Sequence, residues 1–272
     1  MTPDIGAAFR SLHQRGNPFV LANVWDEGSA RMLVALGAKA VATSSAAHAF
    51  TLGRADGGTI TRDEALTHAQ SIVAAVSVPV QGDFEDGFGP DPDTCAETVR
   101  LAASIGLAGI CIEDTALPSQ DPYETSLAIE RIRAAASAAR ALPHDFVLTA
   151  RADGLLTGSY DLTACLARLK GFAAAGADCL YAPLPADMDQ IAQICAATTL
   201  PVNVLIAGWT TMKSLSDFAG LGVARLSLGS SLARITHRVI HDAAQQMFGS
   251  GRFDLLAQGM SGSAVDRLLR GD

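Results

Sequence analysis

Aromatic residues make up only 6% of the 272 residues, and neither lysine nor arginine occurs in runs. With a net charge of −8 at pH 7, the chain lacks the basic surface that nucleic acid or an anionic membrane would require. No stretch reaches 18 uninterrupted apolar residues, and polar side chains interrupt the first 18 residues, so we expect neither a transmembrane helix nor a signal peptide. The expected partner is a small molecule.

Cysteine pairs and several ligand-binding motifs are also absent. The five cysteines lie far apart without C-x-x-C spacing, which predicts reduced thiols and a cytoplasmic protein. Neither H-x-H nor H-E-x-x-H occurs, which argues against a histidine-ligated zinc site. The chain also lacks a G-x-G-x-x-G turn and a P-loop, which argues against a doubly wound sheet.

Short apolar runs recur along the chain and alternate with amphipathic stretches. Such runs are typical of strands buried on both faces, and the stretches between them, several ended by Gly, are typical of helices. The strand runs are FVLANVW from Phe19, AVATSS from Ala40, PVQGDFED from Pro79, GICIED from Gly109, FVLTARAD from Phe146, CLYAPLP from Cys179, PVNVLIA from Pro201 and ARLSLGS from Ala224. Eight right-handed βα repeats predict an α/β fold, a single (β/α)8 TIM-type barrel.

The alternative fold is a doubly wound open sheet. That fold usually carries a Gly-rich turn after its first strand, whereas the first run here leads to Trp25, Asp26 and Glu27. We therefore expect a barrel catalytic domain over residues 1–250, followed by a C-terminal helical extension over residues 251–272.

Acidic side chains end two neighbouring runs. Asp83 and Glu85 share one side of the third run because side chains alternate along a strand, and Glu113 ends the fourth run. Because the carboxyl ends of barrel strands meet at one mouth, these carboxylates should converge, where they repel unless a cation neutralises them or some are protonated. Oxygen-only ligands favour Mg²⁺ or Mn²⁺. The alternative is that they cap helices or lie on the surface.

Other polar groups end the remaining runs. Arg151, after the fifth run, either clamps a substrate carboxylate or phosphoryl group or forms an ion pair with the acidic cluster. Residues 43–46 and 229–231 offer hydroxyl and backbone N–H groups for an anion. Asn203 points either to a substrate oxygen or to backbone groups.

Six motifs at these intervals resemble the isocitrate lyase and phosphoenolpyruvate mutase superfamily: N-V-W-D, A-T-S-S-A, G-D-F-E-D-G-F-G, I-E-D, T-A-R-A-D and P-V-N. The resemblance covers about residues 5 to 248. It implies a Mg²⁺-binding barrel that acts on a 2-oxo acid or an enolpyruvyl carboxylate. Members cleave C–C bonds of 2-hydroxy or 2-oxo carboxylates, or make, move or hydrolyse P–C bonds, through an enolpyruvate-like intermediate.

The resemblance also implies roles for individual residues. Asp83 would bind the metal directly, while Glu85 and Glu113 would reach it directly or through water. The candidate catalytic residues are Arg151, Glu113 and Asp56, the last of which would complete the acidic shell. The candidate substrate-binding residues are Trp25, Ser45, Ala46, Ala47, Arg151 and Asn203, among which residues 45–47 would line the carboxylate site largely through backbone N–H groups.

The lid after the fourth run departs from the best-understood members. Isocitrate and methylisocitrate lyases carry a K-K-C-G-H or K-R-C-G-H loop there, whose Cys is the catalytic acid or base, whereas here I-E-D leads into T-A-L-P-S-Q-D. Cys111 lies inside the strand and cannot replace that Cys. Phosphonate-processing members usually place a Lys soon after the acidic pair, and this chain has none there. Tyr123, Ser119 and His48 are candidates for the acid–base group.

Three functions are consistent with these features. The first is a Mg²⁺-dependent lyase or decarboxylase that cleaves a C–C bond of a 2-oxo or 2-hydroxy carboxylate. The second is P–C bond chemistry of the phosphonomutase or phosphonopyruvate hydrolase type, and the third is a catalytically silent carboxylate-binding homologue. The superfamily forms tetramers in which the last barrel helix swaps between neighbours, and the apolar helix expected over residues 231–248 would make this protein a dimer of helix-swapped dimers.

Overall fold

The computed structural model of the protein describes residues 4–271. Eight of its strands are parallel and close into a barrel. These strands are β1 (Phe19–Asn23), β2 (Val41–Ala42), β3 (Val80–Asp83), β4 (Gly109–Glu113), β7 (Val147–Arg151), β8 (Cys179–Tyr181), β9 (Val202–Leu205) and β10 (Arg225–Ser227), and the remaining two, β5 (Thr115–Ala116) and β6 (Asp121–Pro122), pair with each other. Each of the eight expected runs contains one barrel strand, so the predicted fold class is confirmed.

Helices surround the barrel and connect its strands. They are α1 (Ile5–Leu12), α2 (Glu27–Ala35), α3 (Ser45–Thr51), α4 (Arg62–Ala75), α5 (Pro92–Ser104), α6 (Thr125–Arg140), α7 (Gly154–Thr157), α8 (Leu162–Ala175), α9 (Met188–Ala196), α10 (Leu215–Ala219), α11 (Ser231–Ser250) and α12 (Gly262–Arg270). Two short 3₁₀ helices span Gly208–Met212 and Asp254–Gln258.

Alanine dominates the contact between α5 and α6. Ala102 on α5 and Ala135 on α6 are both fully buried, together with a further alanine-rich stripe on each helix. Because an alanine side chain adds little bulk, the two helices approach each other closely while they cover the barrel strands beneath. The high alanine content therefore reflects helix packing around the barrel.

A short antiparallel hairpin follows β4 and forms the lid. Thr115 pairs with Pro122 and Ala116 with Asp121. The sequence predicts a lid at this position but not its two strands. The turn of the hairpin lies against Gly58, where an added Cβ atom would come within 3.0 Å of the Leu117 side chain. Gly58 has a φ of +72°, so glycine suits this position in both conformation and space.

The C-terminal part of the chain begins with the eighth barrel helix. Only Ala233 and Ala243 are buried on α11, whereas Ile235, Val239 and Ile240 are exposed. After α11 the chain turns at Gly251 and returns to the barrel, where α12 packs on α2. None of the helices in the described part of the chain has both the length and the hydropathy needed to cross a bilayer.

Candidate active site

A cavity of about 520 Å³ opens at the carboxyl ends of the barrel strands. Two arginines, Arg151 and Arg234, line it, together with leucine side chains on its wall. Five acids also line it, namely Asp56, Asp83, Glu85, Glu113 and Asp153. The cavity is therefore strongly acidic, and it contains the four acids and the one arginine expected there from the sequence, namely Asp56, Asp83, Glu85, Glu113 and Arg151.

Hydrogen bonds hold Asp83 at the end of β3. The backbone N–H and the hydroxyl of Ser45 both donate to Asp83 Oδ2 over 2.9 Å. The backbone N–H of Asp83 donates to Thr43 Oγ1 over 2.8 Å. Since two donors already satisfy Oδ2, Oδ1 is the oxygen left to face the cavity and Arg151, whose Nη1 lies 4.0 Å from it.

Glu85 adopts a backbone conformation that non-glycine residues rarely adopt. Its φ is +45°, which is in the left-handed region. Its side chain accepts a hydrogen bond from Gly58 N over 3.0 Å, and its carbonyl oxygen accepts one from Glu113 N over 2.9 Å. Strained conformations of this kind concentrate at functional sites, where surrounding contacts maintain them.

Arg151 lies among the acids at the end of β7. Its Nη1 is 3.1 Å from Glu113 Oε2, and its Nε donates to Asp153 Oδ1. Its guanidinium carbon is 5.4 Å from the centre of the Tyr181 ring. Both interpretations of Arg151 from sequence are thus compatible with its position, because it pairs with the cluster and still lines the cavity.

Burial and mutual repulsion shift the pKa values of the clustered carboxyl groups. Desolvation raises the pKa of Glu85 to about 7 and raises that of Glu113 well above its usual range, although Arg151 opposes the shift at Glu113. Desolvation followed by repulsion from Asp83 also raises the pKa of Asp56. A divalent cation would relieve this repulsion, and the oxygen-only donors suit Mg²⁺ or Mn²⁺. Within residues 4–271, however, no three carboxylate, His or Cys side chains already converge on one point as direct ligands.

A second layer of contacts holds these acids from outside. Asp114 accepts hydrogen bonds from the backbone N–H of Asp153 over 2.8 Å, the Tyr160 hydroxyl over 2.7 Å and Arg168 Nη1 over 3.0 Å. This buried network fixes the backbone of Asp153. These contacts give Asp114 a structural role behind the cavity.

The three candidates for the missing acid–base group lie in different surroundings. Tyr123 donates its hydroxyl proton to Asp86 Oδ2 over 2.6 Å, and Ser119 is exposed on the lid. His48 stacks on His68 with ring centres 3.8 Å apart, behind Ser45. Among the described residues, none of these three lines the acidic cavity at the strand ends.

Three of the candidate substrate-binding residues lie away from the cavity. Trp25 accepts a hydrogen bond from His68 through its backbone oxygen, and the backbone N–H of Ala47 donates to Ser44 Oγ. Asn203 is 1% exposed and bonds to Ser227 and Arg225 inside the barrel. Ser45 and Ala46 do line the cavity, although the Ser45 N–H group is bonded to Asp83.

The cavity lining also includes polar residues that were not expected from the sequence, among them Asp153, Tyr181, Arg234 and Thr115. Asp153 ends the T-A-R-A-D motif, so the rule that polar residues at strand ends face the barrel mouth could have identified it. Tyr181 ends β8, and Arg234 lies in the first turn of α11. Thr115 follows the acidic pair, and its buried Oγ1 has no hydrogen-bond partner among the described residues.

Comparisons with known proteins agree with this fold. The family model described as phosphoenolpyruvate phosphomutase matches residues 9–248. An uncharacterized protein of Mycobacterium tuberculosis strain H37Rv is 35% identical over 82% of each chain, and an oxaloacetate decarboxylase of Paraburkholderia xenovorans is 30% identical over 93% of this chain and 85% of its own. A crystal structure of a candidate lyase/mutase from Burkholderia cenocepacia J2315 is 43% identical, covers 96% of this chain and 94% of its own, and superposes with a TM-score of 0.92.

The family model and these relatives therefore place the barrel among lyases and mutases. This chain belongs to the phosphoenolpyruvate phosphomutase family, within the isocitrate lyase and phosphoenolpyruvate mutase superfamily. The resemblance inferred from the six sequence motifs is confirmed.

Proposed function

We propose that this protein is a Mg²⁺-dependent lyase or decarboxylase that cleaves a C–C bond of a 2-oxo or 2-hydroxy carboxylate through an enolpyruvate-like intermediate. The observation that carries the proposal is the juxtaposition of Asp83, Glu85 and Glu113 with Arg151 in one cavity. This arrangement provides oxygen ligands for a hard cation and a guanidinium for a carboxylate. The similarity to an oxaloacetate decarboxylase over most of both chains supports C–C cleavage.

The carboxylate oxygens in the cavity indicate which residues would hold the ion. Asp83 would bind it directly through Oδ1, with Glu85 and Glu113 reaching it directly or through water. Mn²⁺ would fit the same oxygen ligands. When bound, the ion supplies a Lewis acid that stabilises negative charge on the substrate's carbonyl oxygen.

The chain's own side chains would bind and orient the substrate. Arg151 would hold the substrate carboxylate, because its guanidinium is fixed by Glu113 and Asp153 yet lines the cavity. The pKa of the Tyr181 phenol is raised, first by burial, so the hydroxyl stays protonated and can donate a hydrogen bond. Leu117 on the lid covers one side of the cavity and would limit access of water.

A second candidate is P–C bond chemistry, either phosphonomutase or phosphonopyruvate hydrolase. The match to the phosphoenolpyruvate phosphomutase model favours it. The same cavity would serve, because a phosphonate is also an anion that Arg151 can bind.

The assembly and domain organisation are further parts of the proposal. We expect a homotetramer built as a dimer of helix-swapped dimers, because the apolar side chains of Ile235, Val239 and Ile240 on α11 are exposed on a helix that buries only two alanines. Residues 1–250 would form the catalytic domain and residues 251–272 its helical extension. A cytoplasmic location stays a prediction.

The decisive experiment is turnover with Mg²⁺ against oxaloacetate, 2-methylisocitrate, dimethylmalate and phosphonopyruvate. We expect pyruvate or glyoxylate to form from a carboxylate substrate without release of phosphate. Phosphate released from phosphonopyruvate, with no product from the carboxylates, would instead establish the second candidate. Carboxylate binding without turnover of any substrate would contradict both and favour the catalytically silent homologue.

A further inference from the structure

Arg225 is a fully buried cation in the interior of the barrel. It belongs to β10 and is 1% exposed. Its guanidinium bonds to Gln81 Oε1 over 2.6 Å, Asn203 Oδ1 over 2.9 Å and Thr149 Oγ1 over 3.2 Å. Three barrel strands besides its own therefore contribute side chains that hold this residue.

All of these partners are neutral. The fourth, His13 on the amino-terminal side of the barrel, lies 3.1 Å from Arg225 through Nε2, while its Nδ1 is 2.9 Å from Phe9 O. Nδ1 must carry the proton because Phe9 O can only accept, so Nε2 accepts from Arg225 and His13 is neutral. Among residues 4–271, no carboxylate oxygen lies within 4.0 Å of this guanidinium.

Two arginines beside the cavity are compensated by acids, since Arg168 pairs with Asp114 and Arg151 pairs with Glu113. The buried Arg131 instead donates to backbone carbonyl oxygens and lies over the Tyr123 ring. Placing a cation in an apolar interior without an adjacent anion is costly, so hydrogen bonds alone are a weak reason to have arginine there. With no carboxylate beside it, the charge of Arg225 is left to act on groups farther away.

The acidic cavity lies directly above Arg225. Gln81 and Asp83 share the inner face of β3, and Thr149 and Arg151 share the inner face of β7, because side chains two residues apart point the same way. Two residues of a strand span about 6.6 Å. The partners of Arg225 thus form the layer of side chains immediately beneath Asp83 and Arg151, and both Gln81 and Thr149 in this layer are buried.

We propose that Arg225 is a positioning residue whose uncompensated charge acts on the candidate metal site from below, weakening cation binding and strengthening the binding of the anionic substrate. This inference rests on the proposed function, since it presupposes that both a divalent cation and a carboxylate bind in the cavity. Five acids face two arginines there, so the formal charge of the ionised cavity stays negative even with a divalent cation bound, which disfavours an anionic substrate. The positive charge of Arg225 offsets part of this negative charge, although its side chain does not line the cavity.

The test measures two affinities that the charge moves in opposite directions. The dissociation constant of Mn²⁺ is measured by the paramagnetic resonance signal of the free ion, and that of the dianion oxalate by calorimetry in saturating Mn²⁺. In Arg225→Met, which removes the charge, we expect Mn²⁺ to bind about tenfold more tightly and oxalate about tenfold more weakly. In Arg225→Lys, which keeps the charge, both constants should stay within about threefold of the wild type.

Two further variants separate charge from packing. Asn203→Asp is nearly isosteric and places a carboxylate where Oδ1 now lies 2.9 Å from Arg225 Nε, so it should shift both affinities as Arg225→Met does. If Arg225→Met fails to fold, Asn203→Asp still shows whether the charge of Arg225 affects the two affinities. Gln81→Met removes a hydrogen bond to Arg225 without changing any charge, so it should not produce opposite shifts.

The outcomes distinguish this inference from the proposed function. Weaker binding of both ligands in the charge-removing variants, or equal effects of Met and Lys at position 225, would assign Arg225 a purely structural role and overturn the inference. A wild-type protein that binds neither Mn²⁺ nor oxalate would overturn the proposed function and this inference with it. Wild-type binding of both ligands, with no opposite shifts in Asn203→Asp, would overturn only the role of Arg225.

Discussion

Arg151 and Glu113 are register partners on the adjacent strands β7 and β4, and Arg151 Nη1 lies 3.1 Å from Glu113 Oε2. A contact between Arg151 Nε and Asp153 fixes the other side of the guanidinium. The position of Arg151 is therefore determined by the barrel itself before any substrate binds. Such preorganisation is what makes a charged donor effective on the charge that develops in a reaction.

Replacing Arg151 should reduce catalysis while the barrel stays folded. For Arg151→Gln we expect kcat/KM to fall by about 10²- to 10³-fold, as for the loss of one preorganised donor. Arg151→Lys should recover only part of the loss, because an ammonium group cannot reproduce the two-pronged geometry. Arg133→Gln, which removes an exposed arginine paired with Glu130, is the matched control in the steady-state assay. Equal effects of the two Gln substitutions would contradict the assignment.

Asp83 is expected to be indispensable to turnover. Asp83→Ala removes the proposed direct metal ligand, so activity should fall by orders of magnitude and Mn²⁺ binding should weaken. The far-ultraviolet circular dichroism spectrum should be unchanged, because Asp83 lies at the end of its strand. Asp189→Ala, at an exposed acid in the first turn of α9, serves as the control. Near-normal turnover of Asp83→Ala would refute the metal assignment.

Arg234 should select substrates that carry a second anionic group. It lines the cavity and is separate from Arg151, whose role would be to hold the first carboxylate. In Arg234→Gln we expect KM for a dicarboxylate to rise about 10- to 100-fold, in line with the loss of a charge-assisted hydrogen bond, with a smaller change in kcat. Arg238→Gln, one turn farther along the same helix and paired with Asp242, should leave KM unchanged. Similar KM values in the two variants would exclude this role.

His13 should make the protein less stable in acid. Burial, followed by the nearby charge of Arg225, lowers the pKa of His13 to about 3 from an ordinary value of 6.5. Between these values the unfolded chain binds the proton and the folded protein does not, so stability falls as pH falls below about 6.5. The free energy of unfolding should therefore lose up to about 1.4 kcal/mol per pH unit from this residue.

Urea unfolding of the wild type and of His13→Gln at pH 7, 6 and 5 checks this expectation. The variant should show a shallower pH dependence, since glutamine can accept the hydrogen bond from Arg225 without titrating. His48, with a pKa lowered to about 4 mainly by burial, contributes in both proteins and so cancels from the comparison. Parallel pH profiles would show that His13 is not responsible.

The exposed face of α11 should mediate assembly. Size-exclusion chromatography with light scattering should give a mass near four times 28.1 kDa for the wild type. Val239→Asp places a charge on the apolar face and should yield smaller species, because a buried unpaired carboxylate disfavours the interface. Gln245→Asp adds the same charge at an exposed polar position of α11. A wild-type mass near 28.1 kDa would contradict the proposed tetramer.

Much of the site was predictable because barrel geometry converts sequence position into spatial position. Parallel strands end at one mouth, so Asp83, Glu113 and Arg151 could be brought together from the ends of three runs. The same reasoning would have included Asp153 and Tyr181, since both lie at strand ends. Arg234 gave no comparable signal, because an arginine in the first turn of an amphipathic helix usually faces solvent.

Asn203 shows where reasoning from strand ends fails. Its position in β9 is compatible with either the cavity or the layer beneath, and strand periodicity cannot choose between them. The choice depends on Arg225, which lies on the neighbouring strand and bonds to Asn203. Sequence motifs alone do not contain the stagger between strands that brings these two residues together.

By itself the sequence determined the closed α/β barrel, the superfamily and the acidic strand ends, because these follow from local periodicity and from motifs within single strands. The tertiary structure decided which of the selected residues share the cavity, how Arg151 is held between Glu113 and Asp153, and that Arg225 lies beneath them without an acidic partner. These features depend on strand stagger and side-chain packing between distant parts of the chain. The strength of a charge interaction or a hydrogen bond depends on the distance between the two groups in space. Only the folded barrel sets these distances.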